Sequence, residues 1–421
     1  MIHRKEKPQR TAFSLIHAFA LVLALLVYST QASDQLEENY VKSTLGLYDI
    51  ATFDVYANQQ SIHIIAGGRQ SQNDAALTLR YQRSVDGGRN WTTPATVFSP
   101  LPAINAKRGN DIQLAAHGNR LVALMQGKTS LPGIGPMICL YSEDSGMTWK
   151  NGANPAKDND GSQAHIDLLA DKAGVFHAVW LEDPEENGYQ SLRYSRSEDG
   201  GKSWSQLMTI EDSTCSCCWN TIVHSPLDHL NVLYRNMTPR DMAMIRSTDH
   251  GATWQPLGAV GDFKWQLNGC PHVGGSAGYV TRGATHWLHS LVWTGMPEKA
   301  GLYHLVSSDH GSTWSEPMRL SATGMNGDIA HHGRHTVTAW NEMNPAGMSI
   351  NLAIAENNGS TWSKPIQLTP GENAATQPRL VATTNGVLAV WTEKPAKQTS
   401  QLAWKLIELE RKLTHEGEIY E

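Results

Sequence analysis

The chain has 421 residues, of which 40% are hydrophobic and 18% charged, a mixture that fits a folded globular protein and excludes disordered and fibrous classes. Its 34 basic and 40 acidic residues leave a formal net charge of −6, and no Lys/Arg block supplies the electrostatic footprint that nucleic-acid binding needs. Fourteen Trp against six Phe, together with 36 Gly, suit short strands separated by many tight turns.

The N-terminus reads MIHRKEKPQR, then an apolar run from Ala12 to Tyr28, then STQASD, which is the order of regions in a secretory signal. Residues 1–33 are therefore expected to be a signal segment, with Thr30 and Ala32 suited to cleavage between Ala32 and Ser33. Kept uncleaved, the 17-residue run would serve as a single anchor. The first cysteine is Cys139, so no lipid-modified cysteine follows the leader, and no later segment reaches the length of a membrane span. The expected setting is periplasmic or extracellular, where the five cysteines are able to form disulfides. Residues 34–408 read as one domain, and 409–421 as a charged, solvated tail.

One eight-residue phrase recurs six times along that domain: SVDGGRNW from Ser84, SEDSGMTW from Ser142, SEDGGKSW from Ser197, STDHGATW from Ser247, SSDHGSTW from Ser307 and AENNGSTW from Ala355. Each residue of Ser-x-Asp-x-Gly-x-Thr-Trp has a mechanical task in a corner between two strands. The carboxylate accepts backbone N–H bonds, Gly takes a positive φ, Ser or Thr adds a side-chain bond, and Trp pins the corner on the apolar layer beneath. The last copy has Asn357 for Asp and Ala355 for the first Ser. These boxes are turns rather than catalytic groups.

The phrase resembles the Asp box of sialidases and related bacterial neuraminidase repeat proteins, and the copies recur every 48 to 60 residues through nearly the whole mature chain. The resemblance implies an all-β, sialidase-like β-propeller in which each box joins the third and fourth strands of a blade. The flanking sequence agrees. Two runs joined by a polar turn precede each box, as in DIQLAAHGNRLVALMQG from Asp111 and DIAHHGRHTVTAWNE from Asp328; a third strand enters the box and a fourth leaves it. A seventh hairpin, PRLVATTNGVLAVWTE from Pro378, lacks a box. The count favours seven four-stranded blades, with a strand between Asn39 and Tyr48 closing the last; six blades are the alternative.

In a propeller, first-strand starts and second-strand ends meet around one rim of the central channel, with the boxes on the opposite face. That rim is expected to gather Asn110, Asp111, Gln163, His165, Cys215 to Asn220, Cys270, His272, Asp328, Thr376 and Gln377, together with Gln126, Glu182, Asp183, Arg235, Thr294, Glu342 and Glu393. Such a ring is polar, acidic and rich in sulfur, hence a candidate site. STCSCCWNT places Cys215, Cys217 and Cys218 at one blade crossing, and NGCPHVGG places Cys270 and His272 at the next. Three readings stay open: disulfides tying the blades, a metal site in which the thiolates with His272 or His165 hold copper or zinc, or redox-active thiols. Cys139, in MICLYSE, reads as a buried small hydrophobe.

These phrases also resemble an exported bacterial subfamily of Asp-box proteins with a Cys-x-Cys-Cys phrase, an Arg-Asp pair and a Gly-Cys-Pro phrase. Here they are Cys215 to Cys218, Arg240 with Asp241, and Gly269 to Pro271; an upstream Asp-Gly…His phrase matches Asp160, Gly161 and His165. A sialidase needs an arginine cluster for the carboxylate, a Tyr nucleophile paired with a Glu, and an Asp acid/base. Candidates are Arg108, Arg235, Arg240, Arg282 and Arg379, Tyr234 or Tyr279, Glu182 or Glu342, and Asp111 or Asp241. The Phe/Tyr-Arg-Ile-Pro phrase that supplies the first sialidase arginine is absent; the N-terminal stretch reads YDIATFDVYANQQSIHIIAGG. His331, His332 and His335 align with a hairpin turn on the far face and are expected at the surface, as are His250 and His310 within their boxes. The expected partners are a small ligand, a glycan or a protein at the channel mouth, in a metal-binding, a glycoside-hydrolase or a purely binding role.

Overall fold

Alternating apolar residues between closely spaced turn signals leave this chain no way to bury its cores except as short antiparallel strands stacked face to face. The computed structural model describes residues 40–58, 61–98, 103–130, 135–158, 161–183, 190–356 and 359–409. The expected leader, Asp160, Asn357 and the tail beyond Leu409 lie outside them. Among the described residues no helix is long and apolar enough to cross a membrane.

The unit Val41–Glu421 folds into seven antiparallel sheets arranged as a propeller. The innermost strands are Asp49–Asn58 in blade 1, Gln113–His117 in blade 2, Ala164–Ala170 in blade 3, Thr221–His224 in blade 4, Ser276–Arg282 in blade 5, Met325–His332 in blade 6 and Ala374–Thr383 in blade 7. They lie side by side in that order, and the seventh meets the first. Blade 7 takes its fourth strand from the other end of the chain, Val41–Ser43, paired antiparallel with Gln401–Glu408 in the register Val41 to Trp404. The expected closure of seven blades by an N-terminal strand is what the topology shows.

The second strand of each blade is sandwiched between its neighbours. Phe176–Glu182 and Leu230–Arg235 are buried at every position, whereas the fourth strands Met208–Thr214 and Gln255–Ala259 are largely open. Three second strands carry the same triplet, Trp180-x-Glu182, Trp340-x-Glu342 and Trp391-x-Glu393, each with its Trp fully buried. In two of them the indole N–H donates to the carboxylate two residues on, at 3.3 Å in blade 3 and 2.9 Å in blade 6.

The boxes form the corners the phrase implies. Ser142 Oγ donates to Asp144 Oδ1 at 2.8 Å and accepts from Gly146 N–H, while Asp144 accepts from Thr148 N–H and Oγ. The same set recurs around Asp249 and Asp309. Asn385, in the hairpin turn of blade 7, donates to the Asp86 carbonyl in the box of blade 1, so hairpin turns and boxes share one face. Box glycines also seat a neighbour. A Cβ on Gly251 would lie 1.9 Å from the Tyr194 hydroxyl, and its φ of +85° admits L side chains poorly. That tyrosine is held by His177 at 2.8 Å and reaches the His250 carbonyl; His63 and Tyr81 repeat the arrangement toward Ser145.

Candidate functional site

At the opposite face the inner strands depart from regular pleating. Register shifts fall between Ala164 and Asp167, between Met325 and Asp328, and between Thr376 and Arg379. Each contains one non-glycine residue in the left-handed region: His165 (φ 51°), Asn326 (φ 54°) and Gln377 (φ 49°). Blade 2 reaches the same conformation with Gly109 (φ 88°), two residues before Asp111. A bulge at a sheet end re-aims the next side chains, and the strain of a left-handed non-glycine residue persists only where neighbours enforce it. Here Asn110 Oδ1 accepts from His165 N–H at 2.8 Å, and Asn341 Oδ1 accepts from Gln377 N–H at 3.2 Å.

The re-aimed residues line a cleft open to solvent, whose walls include Arg108, Asp111, His165, Trp219, Asp328 and Arg379. Arg108 forms an ion pair with Asp111 at 2.6 Å, donates to the Gln377 carbonyl and lies 4.3 Å over the Phe53 ring. Burial holds its pKa below the usual arginine value. For Arg379, burial works against the charge, but Asp54, Asp328, Asp167 and Asp111 outweigh it and raise its pKa. Burial pushes Asp54 up to about 7 and Asp167 up to about 6, with Arg379 opposing in both.

The aspartates also stitch the blades. Asp54 accepts from Leu114 N–H, Asp167 from Ile222 N–H and Asp328 from Leu380 N–H, each reaching the inner strand of the following blade.

Beside this cavity, two consecutive blade crossings bring the cysteines together. Residues 215–220 link blades 3 and 4, and 260–275 link blades 4 and 5. Cys215, Cys217 and Cys218 are buried, with Sγ separations of 3.5, 3.5 and 3.9 Å. Those separations exceed a disulfide bond of about 2.05 Å, and all five cysteines are free. They match the S···S spacing of about 3.8 Å that tetrahedral ligands at a Zn–S distance near 2.3 Å would show. A second group joins Cys217 to the exposed Cys270 and His272, and in each group the ligand atoms lie within 4.8 Å of one another. Hydrogen bonds from the Cys217 and Cys218 thiols, with Arg240 nearby, hold the Cys215 thiol far below its ordinary value. Donation to Cys215 and then to Cys218 pushes Cys217 up, and burial pushes Cys218 up to about 11.

His165 stands between the cavity and the sulfurs, outside both groups. Its Nδ1 meets the Gly109 carbonyl at 3.0 Å, a contact that fixes the Nδ1–H tautomer and leaves the lone pair on Nε2. Burial lowers its pKa to about 4, so the ring is neutral at pH 7 and able to ligate.

The stretch RNMTPRD clamps the second crossing. Asp241 accepts from Lys264 N–H at 2.6 Å and Trp265 N–H at 3.2 Å. Arg240 donates through its backbone N–H to the Trp265 carbonyl and through Nε to the Leu267 carbonyl. The buried Arg235 donates to the carbonyls of Val273, Arg240 and Trp293, and its own carbonyl accepts from Cys215 N–H. These three residues therefore hold both cysteine-bearing loops by their backbones.

Other sequence candidates lie elsewhere. Tyr234 is buried in the seam between blades 3 and 4 and donates to Glu211 at 3.0 Å. The Glu182 carboxylate takes up Gln163, Trp180 and Arg193, and that of Glu342 takes up Trp340, Ser321 and Thr323. Tyr279 donates to Asn231, and Arg282 reaches the Arg334 carbonyl. Asp111 and Arg379 line the cavity; Asp54 and Asp167, which interact with Arg379 there, were not singled out from the sequence.

Two histidine expectations are corrected. His332 is buried and contacts the Thr383 carbonyl of blade 7, and His331 packs edge-on against His289 of blade 5 with ring centroids 4.7 Å apart; the blades on either side cover the turn. His289 in turn meets His304 at 3.0 Å. His310 is half-buried against His229 instead of facing solvent, while His250 is exposed. Cys139 is buried beside Gly201, and burial raises its thiol to about 12.

No family model matches the chain, and neither does any curated relative. Solved structures do. A protein of unknown function from Dyadobacter fermentans is similar, with a TM-score of 0.50 and 13% identity over 85% of this chain and 94% of that one. Trypanosoma rangeli sialidase has a TM-score of 0.51 at 12% identity over 87% of this chain, and so does its covalent complex with 2,3-difluorosialic acid over 85%. The chain spans 57% and 54% of those two sialidase chains. At such identities the likeness concerns architecture: the protein is a seven-bladed β-propeller of the sialidase fold.

Proposed function

We propose that this is an exported propeller whose channel mouth binds a soft metal ion, copper(I) or zinc, through Cys215, Cys217, Cys218, Cys270 and His272, with His165 presented from the cavity side. The observation that carries this reading is the approach of three buried, unbonded sulfurs to 3.5–3.9 Å. Thiols buried so closely repel one another once ionised, and a cation among them removes that cost while using their softness. Arg240 and Arg235 near the sulfurs offset the remaining negative charge. The adjacent cavity, with its arginines and aspartates, would take a small ligand beside the metal.

A sialidase-type hydrolase is the weaker reading. Arg108, Arg379 and Asp111 in the cavity favour it. Against it, Tyr234 lies in a blade seam and Glu182 and Glu342 hold indole N–H groups.

Protein purified from the exported fraction without chelator should carry about one copper or zinc per chain by elemental analysis. Cys217→Ser, which touches both ligand groups, should lose it. A metal-free wild-type protein that takes up neither ion on reconstitution would overturn the reading.

A further inference from the structure

Cys217 belongs to two ligand sets of opposite exposure. One set, Cys215, Cys217 and Cys218, is entirely buried; the other, Cys217, Cys270 and His272, has two exposed members. A site built only to retain an ion would gain nothing from an exposed pair sharing a sulfur with a buried trio. The loop that carries the exposed pair is held on both sides of it by side chains of the RNMTPRD stretch. Asp241 and Arg240 hold the loop at Lys264, Trp265 and Leu267, and Arg235 holds it again at Val273, so Cys270 and His272 lie between the clamps.

We propose that the two sets are the ends of a short transfer path for copper(I), entered at Cys270 and His272 and ending at Cys215 and Cys218, with Cys217 bound throughout. The proposal rests on the metal reading above and adds a direction to it. Copper(I) is the cargo because it is held by two or three soft ligands, whereas zinc in a closed site takes four, and each set here offers three. In the first exchange the Cu–N bond to His272 breaks as a Cu–S bond to Cys215 forms. In the second the Cu–S bond to Cys270 breaks as one to Cys218 forms. Cys218 gives up its proton, Cys270 takes one, and copper stays in the +1 state, so the path needs no oxidant or reductant. Associative exchange across shared ligands avoids releasing a free ion, and the reverse sequence returns the ion to an acceptor at the surface.

The test loads the full mature protein anaerobically with one equivalent of copper(I) and follows its transfer to a chromogenic copper(I) chelator. The variants compared with wild type are Cys270→Ser with His272→Ala, and Cys215→Ser with Cys218→Ser. Circular dichroism confirms that each variant retains the fold. The outer variant should keep one copper per chain yet hand it over at least tenfold more slowly than wild type. The inner variant should lose its copper to the chelator within mixing. An outer variant that transfers at the wild-type rate would overturn the path while leaving metal binding intact. One that cannot hold copper would also overturn it, because all ligands would then form a single site. Wild-type protein that binds no copper(I) would overturn the underlying reading instead.

Discussion

The two faces of the propeller are built by opposite rules. On the box face, one hydrogen-bond set around Asp144, Asp249 and Asp309 is repeated almost atom for atom, and its glycines seat the neighbouring blade. On the channel-mouth face, left-handed His165, Asn326 and Gln377 displace the pleat, and sulfur, arginine and carboxylate groups are concentrated there. Repetition is what stability selects when every blade meets the same mechanical need. Departure from it at one rim is where strain and unlike chemistry accumulate, which is why function is assigned to that rim.

The sharpest way to break this contrast is on the box face. Gly251→Ala places a Cβ 1.9 Å from the Tyr194 hydroxyl in a left-handed residue. It should cost roughly 3 kcal/mol, from backbone strain and overpacking together, seen as a lower denaturation midpoint with copper stoichiometry unchanged. A loss of metal without a loss of stability would mean the faces are not separable.

A smaller effect is expected from the blade 5 and 6 seam, where His304 replaces the tyrosine of the latches in blades 1 and 3. Burial lowers the pKa of His331 to about 4 and of His304 to about 3, below the ordinary 6.5. These rings are neutral in the fold and protonate more readily when unfolded. Their contribution is therefore complete above about pH 6.5 and is lost as pH falls through about 4. His304→Tyr should reduce the fall in thermal midpoint between pH 7 and 4, and an unchanged fall would remove the seam from the account.

Much of the architecture was legible because its causes are local. Six boxes, seven hairpins and the closing strand all rest on turn chemistry and alternation that a few adjacent residues encode. The site was legible in part. Cys215, Cys217, Cys218, Cys270 and His272 stood out as unusual residues at blade crossings, and propeller geometry placed them on one rim. Asp54 and Asp167 escaped notice because each sits inside an ordinary strand pattern, and only the inward turn of that strand gives it meaning. The Trp-x-Glu triplets did carry a readable signal, since their recurrence in three blades marks the glutamates as blade furniture. The burial of His332 and half-burial of His331 depend on how blade 6 abuts blades 7 and 5, which no window of sequence contains.

The central claim concerns three sulfurs around one ion, and X-ray absorption on the copper-loaded protein reads that directly. The account predicts a shell dominated by sulfur, and loss of the bound copper in Cys217→Ser. A shell of nitrogen and oxygen alone, or one that Cys217→Ser leaves unchanged, would contradict it.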